Sequence, residues 1–381
     1  MDLDRHDFEL DELMERIRSN DNRLIALQVP EGLKMQALEM MDTIETETSA
    51  QVVLAADPCY GACDLVHDKM QLMGVELVAH MGHSQMNIDS GMPTQFINVT
   101  YDGDPELKPV LPWLEQHRAM AQQRLDQQGE ATKLSEEEAQ EKFMDAVGRM
   151  APLTDTKLGL VGSIQHLHLL PDFHDRLEQA GFDVTVPVGG ARLSFPGQVL
   201  GCNYSGDDPS IGHYLFLGSG DFHPIGLVLH TGKPLAMLDP YTGEAEEMSL
   251  QRIERILRQR FGLIMSVQDA NSFGILIGEK PGQMRRTLDL RMKRILAKHG
   301  KKGYLWLSSM SDPNSLTSIP LMPLSTLLAR ASPSMTPSST ASRSSPRLSL
   351  KSLWAKRNGK PDTNSMRFPE PTPRSRFGTS I

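Results

Sequence analysis

The 381-residue sequence predicts an α/β protein built from three rounds of strand–helix alternation, with a tail outside the fold. Three observations carry this. Short apolar runs closed by Pro or Gly alternate with segments of helical periodicity, at a spacing of about 25 residues. The alternation restarts near residue 156 and again near residue 249. Beyond about Ile319 the apolar runs stop and Ser and Pro take over. Alternation of this kind builds parallel sheets, whose ligands bind outside the carboxyl ends of the strands.

The first domain is expected over residues 1–111. Residues 8–19 read as an amphipathic helix, and Arg23–Val29 as a buried strand closed by Pro30-Glu31-Gly32. Leu33, Ala37, Leu38, Met41 and Ile44 have helical spacing and lead to a strand at 52–56. A Pro/Gly loop with Cys59 and Cys63 follows, then a helix to about Met73. The strand Val75–Ala79 ends at His80-Met81-Gly82-His83-Ser84, and Phe96–Val99 closes the set. Residues 112–155, rich in Gln, Glu, Ala and Lys, read as a helical insertion without chemistry.

The second domain is expected over 156–248. Its strands are Lys157–Gly162, Val184–Val188, Tyr214–Gly218 and Ile225–Leu229, with a helix over 165–180. Cys202 lies in the Gly-rich loop Pro196–Tyr204. The third domain, 249–320, begins with a helix over 249–269. Strand Phe273–Gly278, a basic helix over 283–298 and strand Gly303–Leu307 follow. Cysteine loops in the first two rounds suggest an internal repeat. Residues 321–381 hold thirteen Ser and eight Pro, too little apolar surface to offset the entropy of ordering, so this tail is expected to be disordered.

The net charge of −9 is unevenly spread. The tail has ten basic and two acidic residues, leaving 29 basic against 46 acidic in residues 1–320. An acidic body disfavours nucleic acid as a ligand. No apolar run reaches the roughly 20 residues of a membrane span. Three cysteines argue against a disulfide framework, and the amino terminus lacks a signal-peptide pattern, so a cytoplasmic protein is expected.

Two thiols at the carboxyl edge of a sheet point to metal, redox or nucleophile chemistry. The Cys-x3-Cys spacing of Cys59 and Cys63 is weak evidence by itself, and buried inert thiols are an equal reading. Zinc would want four ligands. Cysteines from separate loops can instead converge on an iron–sulfur cluster, where three ligands leave one iron open. His80 and His83 are candidate ligands or acid–base groups, or plain loop histidines bonded to backbone. Gly162-Ser163-Ile164-Gln165-His166 joins a strand to a helix and offers an anion cradle. It lacks the Gly-x-Gly-x-x-Gly fingerprint, so a dinucleotide site is not favoured.

Five motifs occur in a specific order: Val29-Pro30-Glu31-Gly32-Leu33, Tyr60-Gly61-Ala62-Cys63-Asp64, His80-Met81-Gly82-His83-Ser84, Gly197-Gln198-Val199-Leu200-Gly201-Cys202 and Gly278-Glu279-Lys280-Pro281-Gly282-Gln283. Over residues 20–320 the chain closely resembles the archaeal 2-(3-amino-3-carboxypropyl)histidine synthase family, which performs the first step of diphthamide biosynthesis. The resemblance implies three Rossmann-like domains with parallel sheets around a central 4Fe-4S cluster, each supplying one cysteine, and a homodimer. It implies S-adenosyl-L-methionine as substrate and elongation factor 2 as protein partner. Reductive cleavage of the Cγ–S bond would give a 3-amino-3-carboxypropyl radical that adds to imidazole C2 of a histidine. No nucleic acid or membrane is implied, and the reductant is not named. Carried over by motif, the cluster ligands are Cys63 and Cys202, with Cys59 a neighbour. Gln165, His166 and Gln283, in strand-to-helix loops, are candidates for contacting S-adenosyl-L-methionine.

The family's third cysteine belongs in an Ala-Cys-Pro-Arg segment after the last strand, and this sequence has none. A shifted reading frame near Ile319–Leu321 would account for the loss. Leu327-Leu328-Ala329-Arg330 can be coded so that a two-nucleotide offset reads Ala-Cys-Pro. With the same offset, Asp362–Phe368 can read Tyr-Glu-Phe-Asp-Glu-Ile, which resembles the family's end. Such a shift also explains the basic Ser/Pro tail. Two other readings stand beside this one: a quinolinate-synthase-like 4Fe-4S enzyme, disfavoured by the Tyr-Gly-Ala-Cys and His-x-Gly-His-Ser motifs, and a non-catalytic partner subunit. A plain nucleotide-binding Rossmann protein ranks last.

Overall fold

The computed structural model describes residues 6–86, 91–127, 153–190, 193–201, 203–248, 250–278 and 286–308. In the first repeat, four short apolar segments line up in parallel: β2 (Leu24–Gln28), β3 (Gln51–Leu54), β4 (Leu77–Met81) and β5 (Thr94–Ile97). Their spatial order is β3-β2-β4-β5. A two-residue strand, β1 (His6–Asp7), pairs with β6 (Thr100–Tyr101). Helices α1 (Leu10–Ser19) and α2 (Lys34–Glu47) bury Leu13, Ile17, Ala37 and Ile44 against Ile25, Leu27 and Leu77. The short α3 (His67–Leu72) packs Met70 against Val78 among other small apolar groups.

The second repeat is laid out alike. After α4 (Leu111–Gln127), strands β7 (Lys157–Gly162), β8 (Val184–Thr185), β9 (Ile211–Leu217) and β10 (Leu235–Leu238) are parallel, and β11 (Ala245–Glu247) is antiparallel at one edge. The spatial order is β11-β10-β9-β7-β8. Helices α5 (Leu170–Gln179) and α6 (Phe222–Thr231) contribute to its core. Numbered within each repeat, the parallel strands of both sheets therefore run 2-1-3-4. In this order the chain reverses direction across the sheet between the first and third strands, which opens a crevice at their carboxyl ends. The third repeat is a single βαβ unit: α7 (Leu250–Ser266) precedes β12 (Ser272–Gly278), α8 (Arg286–Lys298) and the parallel strand β13 (Lys302–Ser308).

Two expectations need correction. Ile225–Leu229, expected as a strand, is the middle of helix α6, closed by Gly232 at φ 64°. A short unbroken apolar run has no period that separates a buried helix from a buried strand. The strand lies further on, in β10, whose four residues are all buried. The stretch read as an insertion without chemistry begins with a helix that is built into the second repeat. Leu114 of α4 lies in one apolar cluster with Leu158, Leu160 and Leu215. A Cβ on Gly212 would lie 2.7 Å from the Ala121 Cβ, which shows how closely α4 approaches β9. The remainder of that stretch, 128–152, lies outside the described residues, as does the whole 321–381 tail.

Candidate functional site

Gln28 ends β2, and His80 pairs with it in register on β4, across the crevice of the first repeat. Both are polar side chains at the carboxyl end of otherwise apolar strands, and both are buried. Gln28 Nε2 donates to the Asp64 carbonyl at 2.5 Å, and Gln28 Oε1 lies 3.0 Å from His80 Nδ1. A carbonyl can only accept, so the amide orientation is set. Nδ1 of His80 must then carry the hydrogen, and Nε2 is left bare. His83 Nδ1 stands 3.0 Å from that bare Nε2 and donates to it. Cys59 Sγ is 3.9 Å from both His80 Nε2 and His83 Nδ1. Burial holds His80 well below the usual histidine range and pushes His83 down to about 4. Both rings are neutral at pH 7.

The cysteine loop is wound on itself. Asp64 Oδ2 accepts the Tyr60 amide at 3.1 Å, and the Asp64 amide donates to the Gly61 carbonyl at 2.9 Å. Cys63 Sγ would lie 3.6 Å from a Cβ on Gly61, so the half-buried sulfur folds back over that glycine. Cys59, by contrast, is 2 % exposed and turned toward the histidines.

In the second repeat, Gly162 ends β7 and pairs with Gln198. Its amide donates to the Gly197 carbonyl at 2.9 Å, while the Val199 amide donates back at 3.2 Å. Gly197 takes φ +71°, and a Cβ there would fall 2.4 Å from Leu170 Cδ1, so this turn requires glycine. The segment leading to Cys202 is thus pinned to the carboxyl end of the first strand. Cys202 itself lies outside the described residues, as does Gln283.

Side chains join the two carboxyl edges. Gln198 Nε2 donates to Ser84 Oγ at 2.5 Å, and Gln198 Oε1 accepts the Ser194 amide at 2.9 Å. Gln165 Nε2 donates to the Gly82 carbonyl at 3.0 Å, and Ser194 Oγ donates to the Gln85 carbonyl at 2.6 Å. Gln165 therefore sits where sequence placed it, at the edge, and ties that edge to the first repeat. His166 sits deeper. It is 1 % exposed and lies edge-on to Tyr101 and Tyr241, with ring centroids 6.0 and 5.2 Å away. The sequence reading missed Gln28, Ser84 and Gln198 as organising residues. Their signal was a polar residue inside or beside an apolar run that ends in a turn.

The cysteine-bearing loops occupy equivalent places. Cys63 follows the second strand of the first repeat and precedes the third, and Cys202 does the same in the second. In the third repeat the second strand ends at Ser308, and no cysteine follows it in the sequence. Two of the three repeats thus carry a cysteine after their second strand.

The family model of diphthamide synthesis proteins matches residues 29–120 and 131–323. The chain belongs to this family. It is 32% identical over 309 residues to the 2-(3-amino-3-carboxypropyl)histidine synthase of Pyrococcus horikoshii, covering 81% of this chain and 78% of that one. It is 25% identical to subunit 1 of the mouse synthase, over 72% of this chain and 54% of the mouse protein. The chain therefore spans most of the archaeal relative and about half of the mouse one. Its structure is similar to the crystal structure of Dph2 from P. horikoshii, with a TM-score of 0.64 and 28% identity over 83% of this chain and 81% of the other. It is equally similar to the structure of that protein with a 4Fe-4S cluster, covering 83% of this chain and 82% of that one. The expected α/β architecture with parallel sheets is the one found.

Proposed function

We propose that this chain is built for the first step of diphthamide biosynthesis: transfer of the 3-amino-3-carboxypropyl group of S-adenosyl-L-methionine to imidazole C2 of a histidine in elongation factor 2. The observation that carries the reading is the shared placement of the Cys63 and Cys202 loops. Both follow the second strand of a 2-1-3-4 sheet, in two repeats whose carboxyl edges are tied together. The named archaeal relative and the cluster-bearing similar structure support it. A bound 4Fe-4S cluster would supply the electron that breaks the Cγ–S bond, releasing methylthioadenosine. Cys63 and Cys202 would hold it. Gln165, with its amide nitrogen on Gly82, keeps its carbonyl oxygen for the substrate's ammonium group. Gln283 would approach from the third repeat, and His166 would back the second-repeat loop from within the core. The protein works as a cytoplasmic homodimer in this reading.

We propose further that the reading frame shifts near Ile319–Leu321, removing the third cysteine. A second function is favoured by that same missing thiol: a non-catalytic partner that lends its surface to an active relative. Anaerobic iron and sulfide analysis with electron paramagnetic resonance, on this chain and on a frame-corrected chain, separates the two. A 4Fe-4S signal in the corrected chain alone, lost with Cys63→Ala or Cys202→Ala, is the expected result, together with release of methylthioadenosine. Equal signals in both chains would move the third ligand to Cys59. No cluster in either would favour the partner reading, and a gene without a frame-restoring insertion or deletion would sink the frame shift.

A further inference from the structure

Cys59 is not one of the two thiols placed by the family's motifs, yet it is the more buried of the two in its loop and faces two imidazoles. Its Sγ, His80 Nε2 and His83 Nδ1 all lie within 4.8 Å of one another. A tetrahedral zinc-type ion with the usual bond lengths separates a sulfur and a nitrogen ligand by about 3.6 Å, and two nitrogens by about 3.3 Å. The distances here are 3.9, 3.9 and 3.0 Å. Shifts of a few tenths of an ångström would close the set on an ion.

We infer that Cys59, His80 and His83 form a mononuclear site for a zinc-type divalent cation, separate from the thiols Cys63 and Cys202.

The surroundings are those of a supported site. Gln28 holds His80 Nδ1–H and so turns the Nε2 lone pair toward the other two donors, while the Asp64 carbonyl fixes Gln28 in turn. Neutral imidazoles are the ligating form. Of the three donors, Cys59 and His80 are buried and His83 is the most exposed. The proton balance is simple. Cys59 gives up its thiol proton, and the hydrogen on His83 Nδ1 moves to Nε2 as Nδ1 takes the metal. One proton is released per ion bound.

The test does not depend on the transferase reading. The full chain carrying Cys63→Ser and Cys202→Ser, free of iron and kept anaerobic, is titrated with Co2+. The expected result is one ion per chain, with a thiolate-to-cobalt charge-transfer band and tetrahedral ligand-field bands, both displaced by Zn2+. Adding Cys59→Ser abolishes the charge-transfer band. Adding His83→Ala weakens binding at least tenfold, and Gln28→Leu weakens it about 10- to 100-fold. A folded host without the band would overturn the site. So would unchanged affinity in the His83→Ala and Gln28→Leu chains, which would leave Cys59 as a thiol that merely scavenges metal. Equal cobalt stoichiometry in the unaltered chain and in the single Cys59→Ser chain would overturn it as well, and needs neither host substitution.

Discussion

His166 and His213 are buried imidazoles that desolvation pushes down to about 3, well under the ordinary 6.5. Unfolding frees both rings to take protons at a higher pH than the folded chain allows. Their contribution to stability is therefore complete above pH 6.5 and is lost as pH falls from there toward 3. Each adds a slope of up to about 1.4 kcal/mol per pH unit inside that window. Urea midpoints should hold between pH 7.5 and 6.5 and fall from there to pH 5, and His213→Phe should flatten the decline. Gln28→Leu acts differently, since it removes the shared partner of the Asp64 carbonyl and His80 Nδ1. Losing these two buried hydrogen bonds costs about 1–3 kcal/mol, so thermal denaturation should show a lower midpoint. At this scale the sequence was half legible. His80 and His83 stand out as a motif, but the contact of His80 with Gln28 joins strands 52 residues apart, and no local pattern carries that.

Among the elements, the turn before Cys202 is the most tightly constrained. A Cβ on Gly201 would fall 1.9 Å from Phe222 Cε1, at the start of α6. Gly201→Ala must push the ring or the loop aside, at a cost of roughly 1–3 kcal/mol. The iron content of the reconstituted, frame-corrected chain should drop with it, because the displaced residue is next to Cys202. Chemical denaturation and iron analysis on the same sample check both parts. Most strands and helices were legible from their periods, and the exceptions share one cause. Ile225–Leu229 is apolar on every face, so it shows no period at all. Helix α4 is the opposite case: Val110, Leu114, His117 and Ala121 make a sparse buried stripe inside a Gln-rich stretch. A stripe that narrow is easily read as a solvated helix.

Among the described residues, the first two repeats each bury their sheet in two apolar clusters, while the third shows more apolar surface. Tyr304, Leu305 and Leu307 of β13 are 43%, 36% and 66% exposed, against complete burial in β4. Few buried contacts mean low local stability. Amide hydrogens of 302–308 should exchange sooner than those of 77–81 in a native-state exchange experiment, and equal protection would contradict this. The repeat itself was visible from the restarting alternation. The 2-1-3-4 order was not, because strand order is set by which edges pair and leaves no mark on composition.

Among the described residues, each of the two larger sheets draws its strands from one consecutive stretch of chain. A ribosome delivers such a protein in finished instalments. By Glu247 every strand of the first two sheets has been made, and a frame change near residue 320 comes too late to take a strand from either. Such a lesion would alter the inventory of thiols at the shared edge while leaving the scaffold that presents them intact. A gene in this condition can go on producing a folded relic, open to selection for whatever its remaining side chains still bind.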